Sequence, residues 1–362
     1  MSAHEIVLGI MAFFAVLGGL DRIFGSRFGL GEKFEEGILA MGSLAMAMLG
    51  IICLAPVLAN LLRPVVVPVY GLLGADPAMF AGTILANDMG AGPLAYALTE
   101  DTRAAALGGV ITGSMLGATL VFTIPVAMGI LRPEDRAPMA KGILCGLVTV
   151  PVGVLTGGLV ADFPLPMILL NLIPIVLIAA AIALGLWRAE KAMVKGFALF
   201  GKGVVAVVTF GLAVAIFQEM TGITLISGMA PLSEGFETVG AIAIVLAGAF
   251  PLVAVLTKLL KKPLLRLGKL LGINDVAAAG LIASLANSIA TFGTVKDMDD
   301  RGKVVNIAFA VSGAFVFGDH LGFTAGFAPD MLPAVIIGKL VGGITAVAVA
   351  LLLTGKKATP KT

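Results

Sequence analysis

Asn87 and Asp88 stand side by side in the middle of an otherwise apolar stretch, residues 77–98, PAMFAGTILANDMGAGPLAYAL. Gly90, Gly92 and Pro93 follow at once. A carboxylate at bilayer depth is expensive, and helix-breaking residues free backbone groups that lipid cannot satisfy. Such a stretch persists only where it is packed in protein or lines a wet cavity. The chemistry it suggests is cation binding: the Asp88 carboxylate as counter-charge, held by a broken helix, with amide and hydroxyl groups around it. The bland alternative is a surface aspartate capping a helix. The apolar flanks on both sides favour the site.

The second half of the chain carries a matching set. Asn287 and Ser288 lie in LANSIATFG, and Asp319 and His320 lie in AFVFGDHLGF. A carboxylate beside an imidazole inside an apolar run suits cation binding or proton relay; the alternative is an interhelical hydrogen bond that only fixes packing. Ser114 and Ser312 are weaker candidates, as is Thr119, because intramembrane hydroxyls usually bond back to their own helix. Glu35, Glu36 and Glu237 read as acidic partners of helix N-termini. Gly109, Gly113 and Gly117, four apart, make a stripe for close helix packing. Cys53 and Cys145 lie in apolar runs with no ligand-like spacing, so they read as core residues. Residues 196–202, GFALFGK, match P-loop spacing, but Gly203 stands where serine or threonine is needed and no strand precedes it; an ATP site is rejected. No cofactor, metal site or nucleic-acid surface is expected.

The elements that must position these residues are membrane helices. Of 362 residues, 59% are hydrophobic and 13% charged, with a mean hydropathy of +1.08, too few charges for a soluble domain of this size. Eleven apolar segments recur at 5–24, 37–60, 77–98, 104–130, 139–161, 166–188, 197–217, 238–260, 276–295, 303–327 and 333–354, each near the ~20 residues that span a bilayer. The first has no basic region before it and reads as a retained helix. If all eleven span, the basic loops Arg22/Arg27/Lys33 and Arg132/Arg136/Lys141 fall on opposite sides, against the positive-inside bias. If 77–98 and 276–295 are re-entrant hairpins, those loops share one side with Arg188/Lys191/Lys195, Lys258–Lys269 and Lys296/Arg301/Lys303.

The expected fold is therefore all-α and polytopic, with about nine spanning helices plus two re-entrant hairpins, eleven spanning helices being the alternative. The N-terminus lies outside and the C-terminus in the cytoplasm. Gly42/Gly240, Gly82/Gly280, Asp101/Asp299, Arg103/Arg301, Ser114/Ser312 and Lys141/Lys339 are each 198 residues apart. The units read as a first repeat 1–162, a connection 163–196, a second repeat 197–354 and a basic tail 355–362. With two hairpins the repeats are inverted, an architecture common among secondary transporters.

Long blocks of the chain resemble the ethanolamine utilization protein EutH family, the bacterial ethanolamine permeases. They include FEEGILAMGSLAMAM (34–48), LAPVLANLLRPVVVPVY (54–70), GADPAMFAGTILANDMG (74–90) and GSMLGATLVFTIPVAMGI (113–130). In the second half KPLLRLGKLLGINDVAAAGLIASLAN (262–287), MDDRGKVVNIAFAVSGAFVFGDHLGF (298–323) and IGKLVGGITA (337–346) continue the likeness. The resemblance implies a non-enzymatic carrier in the bacterial inner membrane that takes up ethanolamine by alternating access. Asp88, Asp319 and His320 lie within the shared blocks, so a site role is implied for them. The partners expected are ethanolamine or a similar small cation and the lipid bilayer, with homo-oligomerisation left open. The runner-up is a cation-coupled transporter of another small polar metabolite. A third reading, a non-transporting membrane component, has little behind it, because the loops are short.

Overall fold

The computed structural model describes residues 2–355, so the basic tail expected at 355–362 lies, beyond Gly355, outside the described residues. The regular structure of the described residues is all helical, with no strand among them. Eight helices are long and apolar enough to cross a membrane. These are α1 (Ala3–Ile23), α2 (Leu30–Leu72), α5 (Thr102–Ile130), the stretch Pro133–Val160 that contains α6 (Arg136–Val160), α7 (Leu165–Ala189), α8 (Lys191–Thr221), Leu232–Leu259 within α9 (Leu232–Leu271), and Pro329–Thr354, which contains α14 (Leu332–Thr354). Helices α7 and α8 join at a kink where Ala189 leaves helical geometry. The motif-like GFALFGK lies within α8, as its rejection requires.

The three remaining apolar segments are broken. Residues 77–98 form α3 (Met79–Ile84), a 3-10 turn at Asn87–Met89 and α4 (Ala91–Leu98). The break has local causes. Leu85 and Ala86 are extended, and Gly90 takes the left-handed conformation (φ +99°), open to glycine at little cost. Pro93 falls in the first turn of α4, where its missing N–H breaks no intrahelical bond. The feet of this segment meet: Thr99 Oγ1 donates to Asp76 Oδ2 at 2.9 Å. The chain thus leaves where it entered. Burial at this foot holds the Asp76 carboxyl above its usual range, despite bonds from the Ala78 amide and the Thr99 hydroxyl.

The segment 276–295 behaves the same way, as α10 (Asp275–Ala286) and α11 (Ser288–Thr294). At its foot the Asn274 amide donates to Asp299 Oδ1 at 2.8 Å, and Asn274 Nδ2 donates to the Asp297 carbonyl at 3.0 Å. Inside the hairpin Ser284 and Thr291 share a 2.9 Å hydroxyl bond, and Thr291 also donates to the Gly280 carbonyl. Both segments are hairpins rather than straight spans. The ninth expected span is discontinuous: α12 (Asp300–Gly313) and α13 (Asp319–Phe327) are separated by residues 314–318.

The two hairpins start from opposite ends of the bundle. Helix α5 leads from the first hairpin's foot to the loop holding Asp135, a helix of 29 residues, so roughly 40 Å. There Asp135, fully buried, pairs with Lys303 at 2.6 Å and Arg132 at 2.9 Å, beside the second hairpin's foot. The basic loops converge on that same face. Lys258 donates to the Phe28 carbonyl and Arg132 to the Lys296 carbonyl, while Arg301 donates to the Gly355 carbonyl. A cavity of about 880 Å³ opens there, lined in part by Lys141, Lys269 and Arg301. In the α1–α2 loop, buried Asp21 accepts the amides of Phe28, Leu30 and Gly31.

Helices 198 residues apart in sequence pack on one another. Helix α2 lies along α9, and α6 along α14, while α1 crosses to α9 and α8 crosses to α2. Close approach depends on small residues. The first hairpin lies on a glycine stripe of α5: a methyl at Gly82 or Gly117 would strike the carbonyl of Gly108 or Leu85, and one at Gly109 would lie 2.7 Å from the Ala91 carbonyl. Along that face α5 winds as a π-helix over Ala106–Gly117 and Thr119–Thr123.

Gly82→Val should lower stability by about 1–3 kcal/mol through overpacking against the Gly108 backbone. Gly9→Val, where the added atoms meet nothing within 4 Å, should change it by less than about 0.5 kcal/mol. Unfolding of the two variants in detergent compares them.

Candidate functional site

The tip of the first hairpin meets the N-terminus of α13. Asp88 Oδ1 faces His320 Nε2 at 3.7 Å, an ion-pair distance too long for a hydrogen bond. The other ring nitrogen, Nδ1, lies 3.0 Å from Lys339 Nζ. Lys339 in turn donates to the Ser114 carbonyl at 2.5 Å. One polar chain therefore runs from the hairpin tip through α13 and α14 to α5. His320 is 3% exposed and Lys339 1%; the Asp88 side chain, 19% exposed, is the most exposed member of the chain. Lys339, a cation, can only donate to Nδ1. With Lys339 protonated, a neutral imidazole carries its proton on Nε2, toward Asp88. Asp319 interacts electrostatically with Asp88 from the start of α13, and Glu36 with Asp319.

The break before α13 is what aims His320. Gly313 ends α12, Ala314 is extended and Phe315 sits at φ +60°, a left-handed conformation costly for an aromatic residue. The freed amides are not left bare. Phe315 N–H donates to the Ser284 carbonyl and Phe317 N–H to the Leu285 carbonyl, both at 2.9 Å. Those carbonyls belong to the C-terminal turn of α10, where no intrahelical donor remains. The Phe315 ring then packs 5.2 Å from both the His320 and the Phe122 rings. Hairpin one is held to α13 by aromatic contact. Phe323 and Phe327 stack at 5.0 Å, Tyr96 meets Phe327 edge-on at 5.5 Å, and Gly92 lets α4 lie flat on the pair.

The residues named from sequence fall into two groups. Asp88 and His320 are brought together, with Asp319 beside them. Asn87 lies at the hairpin tip, fully buried, with neither amide atom partnered in the protein. Ser114 contributes its backbone carbonyl, while its hydroxyl bonds back to Ile111 at 2.8 Å. Asn287 caps α11 by accepting the Ile289 amide at 2.8 Å. Ser288 and Ser312 are buried with unpartnered hydroxyls, and no contact joins them to Asp88. Sequence reasoning missed Lys339. The sequence shows it only as a lone lysine inside the apolar run 333–354 and as the counterpart of Lys141 in the 198-residue repeat. Cys53 and Cys145 are buried and free, and no cluster of metal-ligating side chains occurs among the described residues.

Broken helices meeting at a buried, charged site within an apolar bundle define an all-helical polytopic membrane protein. The chain belongs to the EutH family of ethanolamine utilisation proteins, whose family model matches residues 3–353. It is 59% identical to the probable ethanolamine permease EutH of Listeria monocytogenes, over 98% of this chain and 95% of that protein. It is 46% identical to the proteins of the same description from Salmonella typhimurium and Escherichia coli, each over 97% of the relative. An uncharacterized protein of Bacillus subtilis, YxeR, is 52% identical over 98% of this chain. No solved structure matches.

Lys339→Ala removes one partner from a buried charged chain and should cost about 3 kcal/mol. Its repeat mate Lys141, exposed at the basic face, should tolerate alanine within about 0.5 kcal/mol. Detergent unfolding of the two variants, run side by side, measures the contrast.

Proposed function

We propose that this chain is an inner-membrane transporter, not an enzyme, that takes up ethanolamine as its ammonium form. The observation that carries the reading is the Asp88 carboxylate, placed by a broken hairpin inside an apolar bundle with its side chain 19% exposed. A small primary ammonium with a hydroxyl wants one carboxylate, several acceptors and little apolar wall. Asp88 supplies the counter-charge. Asn87, with its unspent amide, supplies polar contact beside it, and Asp319 adds negative potential. The names of the relatives point the same way.

The two hairpins support alternating access. They start from opposite ends of the bundle, and helices related by the 198-residue offset pack pairwise. That is the arrangement expected of inverted repeats 1–162 and 197–354 joined by 163–196. Convergence of the basic loops on one face supports a cytoplasmic C-terminus and an outside N-terminus. In this reading Asn287, Ser288 and Ser312 belong to the second repeat's share of the pathway, and Asp88, His320 and Ser114 to the binding centre. Asp88 would bind the ammonium from either side as the hairpin-bearing bundle moves against the other helices.

Radiolabelled ethanolamine uptake into liposomes holding the purified chain tests this. Wild-type protein should show saturable uptake. Asp88→Asn should abolish it while leaving the protein folded. Uptake at the wild-type rate by Asp88→Asn would remove the carboxylate from the mechanism.

A further inference from the structure

The site already contains a buried lysine. Lys339 is 1% exposed and reaches His320 and the Ser114 carbonyl from the middle of α14. The groups that face it can be enumerated by element. From α13 come His320 and, further off, Asp319, which feels Glu36 of α2. From the first hairpin comes Asp88, through His320. From α5 comes a carbonyl. After Lys141 helix α6 brings only Cys145, buried and free, and α12 brings no ionisable side chain after Lys303; α1 meets this region through His4, which pairs with Asp330 at 3.3 Å, just before the start of α14. The nearest charged groups are thus Lys339 and Asp88, linked through His320, with Asp319 further off.

We propose that Lys339 is a tethered counter-cation that incoming ammonium replaces at Asp88, so that each ethanolammonium bound releases one proton through His320. This rests on the transport reading above and assigns its ion coupling. A second positive charge added to a buried, already neutralised pair is costly in a medium with so little water. The cost is relieved when Lys339 loses its proton. Lys339 Nζ passes a proton to Nδ1 of His320 and keeps the electron pair. His320 gives its Nε2 proton toward Asp88, the most exposed member of the chain, from which solvent takes it, and the ring ends neutral in the other tautomer. The net charge of the site is the same before and after. Departure of the substrate reverses each step. Transport is then electroneutral exchange of ethanolammonium for a proton. The repeat mate Lys141 sits at the surface, so the device exists in one repeat only.

Lys339→Met keeps the length and apolar volume of the stem without the charge. Lys339→Arg keeps a charge that cannot be given up. Calorimetric titration of the purified full chain with ethanolamine, in two buffers of different ionisation enthalpy, counts protons. Wild-type protein should release about one proton per ethanolamine bound, and Lys339→Met should bind with none released. Lys339→Arg should bind at least about tenfold more weakly. In liposomes, wild-type uptake should ignore an imposed potential, whereas Lys339→Met should follow it, toward roughly 50-fold accumulation at 100 mV. Binding without proton release in the wild type would overturn the exchange and leave the transport reading standing. Release that persists in Lys339→Met would do the same, by showing that the proton comes from the ligand. Wild-type affinity in Lys339→Arg would also overturn it. Absence of both binding and uptake in the wild type would remove the transport reading, and this inference with it.

Discussion

Each helix break inside the apolar zone frees amides and carbonyls that only protein can satisfy, and the arrangement of the molecule follows from that requirement. The clearest instance joins two breaks. The carbonyls at the end of α10 accept the amides of Phe315 and Phe317 from the gap between α12 and α13. Each irregular segment completes the other, so the second hairpin and the gap that aims His320 cannot form independently. The first hairpin solves the same problem differently. Its turn pairs the Met89 and Ala91 amides with the Ala86 carbonyl, and glycines on α5 let the whole turn lie against a helix without a gap. Packing density, rather than exclusion of apolar groups from water, holds such segments in place, because lipid is as apolar as leucine.

Much of this was legible in the chain. Asp88 between apolar flanks, followed by two glycines and a proline, specifies a broken segment, and the charge bias of the loops turns two such segments into hairpins. The glycine stripe of α5 was readable as a packing face, though not what it packs against. Three features were not legible. The gap at residues 314–318 contains no proline, and its only glycine is Gly318; Phe315 adopts its conformation because α10 supplies acceptors, a tertiary cause. The π-helical winding of α5 follows from the shape of the hairpin lying on it. Lys339 looked like the counterpart of a surface lysine, and only three-dimensional contact shows the two lysines in opposite settings. Asn287 pulls the other way, since its amide is spent on a helix cap.

The two halves share a plan and differ in chemistry. Asp101 and Asp299 both cap the helix that follows a hairpin. Val121 of α5 stands 198 residues before Asp319, and Ala328 stands where the first half has Ile130. The charged groups have accumulated on α13, α14 and the first hairpin, so one polar chain is built from both halves. A single centre shared between similar halves presents related surroundings to either side of a membrane.

The aromatic seam between α4 and α13 has a mechanical consequence. Tyr96, Phe327 and Phe323 interlock across Gly92, and separating them would open a void that neither lipid nor water fills cheaply. In the transport cycle proposed above, the first hairpin and α13 would travel as one body, and Asp88 would keep its distance from His320 wherever that body goes. Lys339 rides on a different helix, against α6 and α12. Of the members of the buried chain, the lysine is the one that such sliding would disengage, so in that cycle the joint between His320 and Lys339 would act as a clutch.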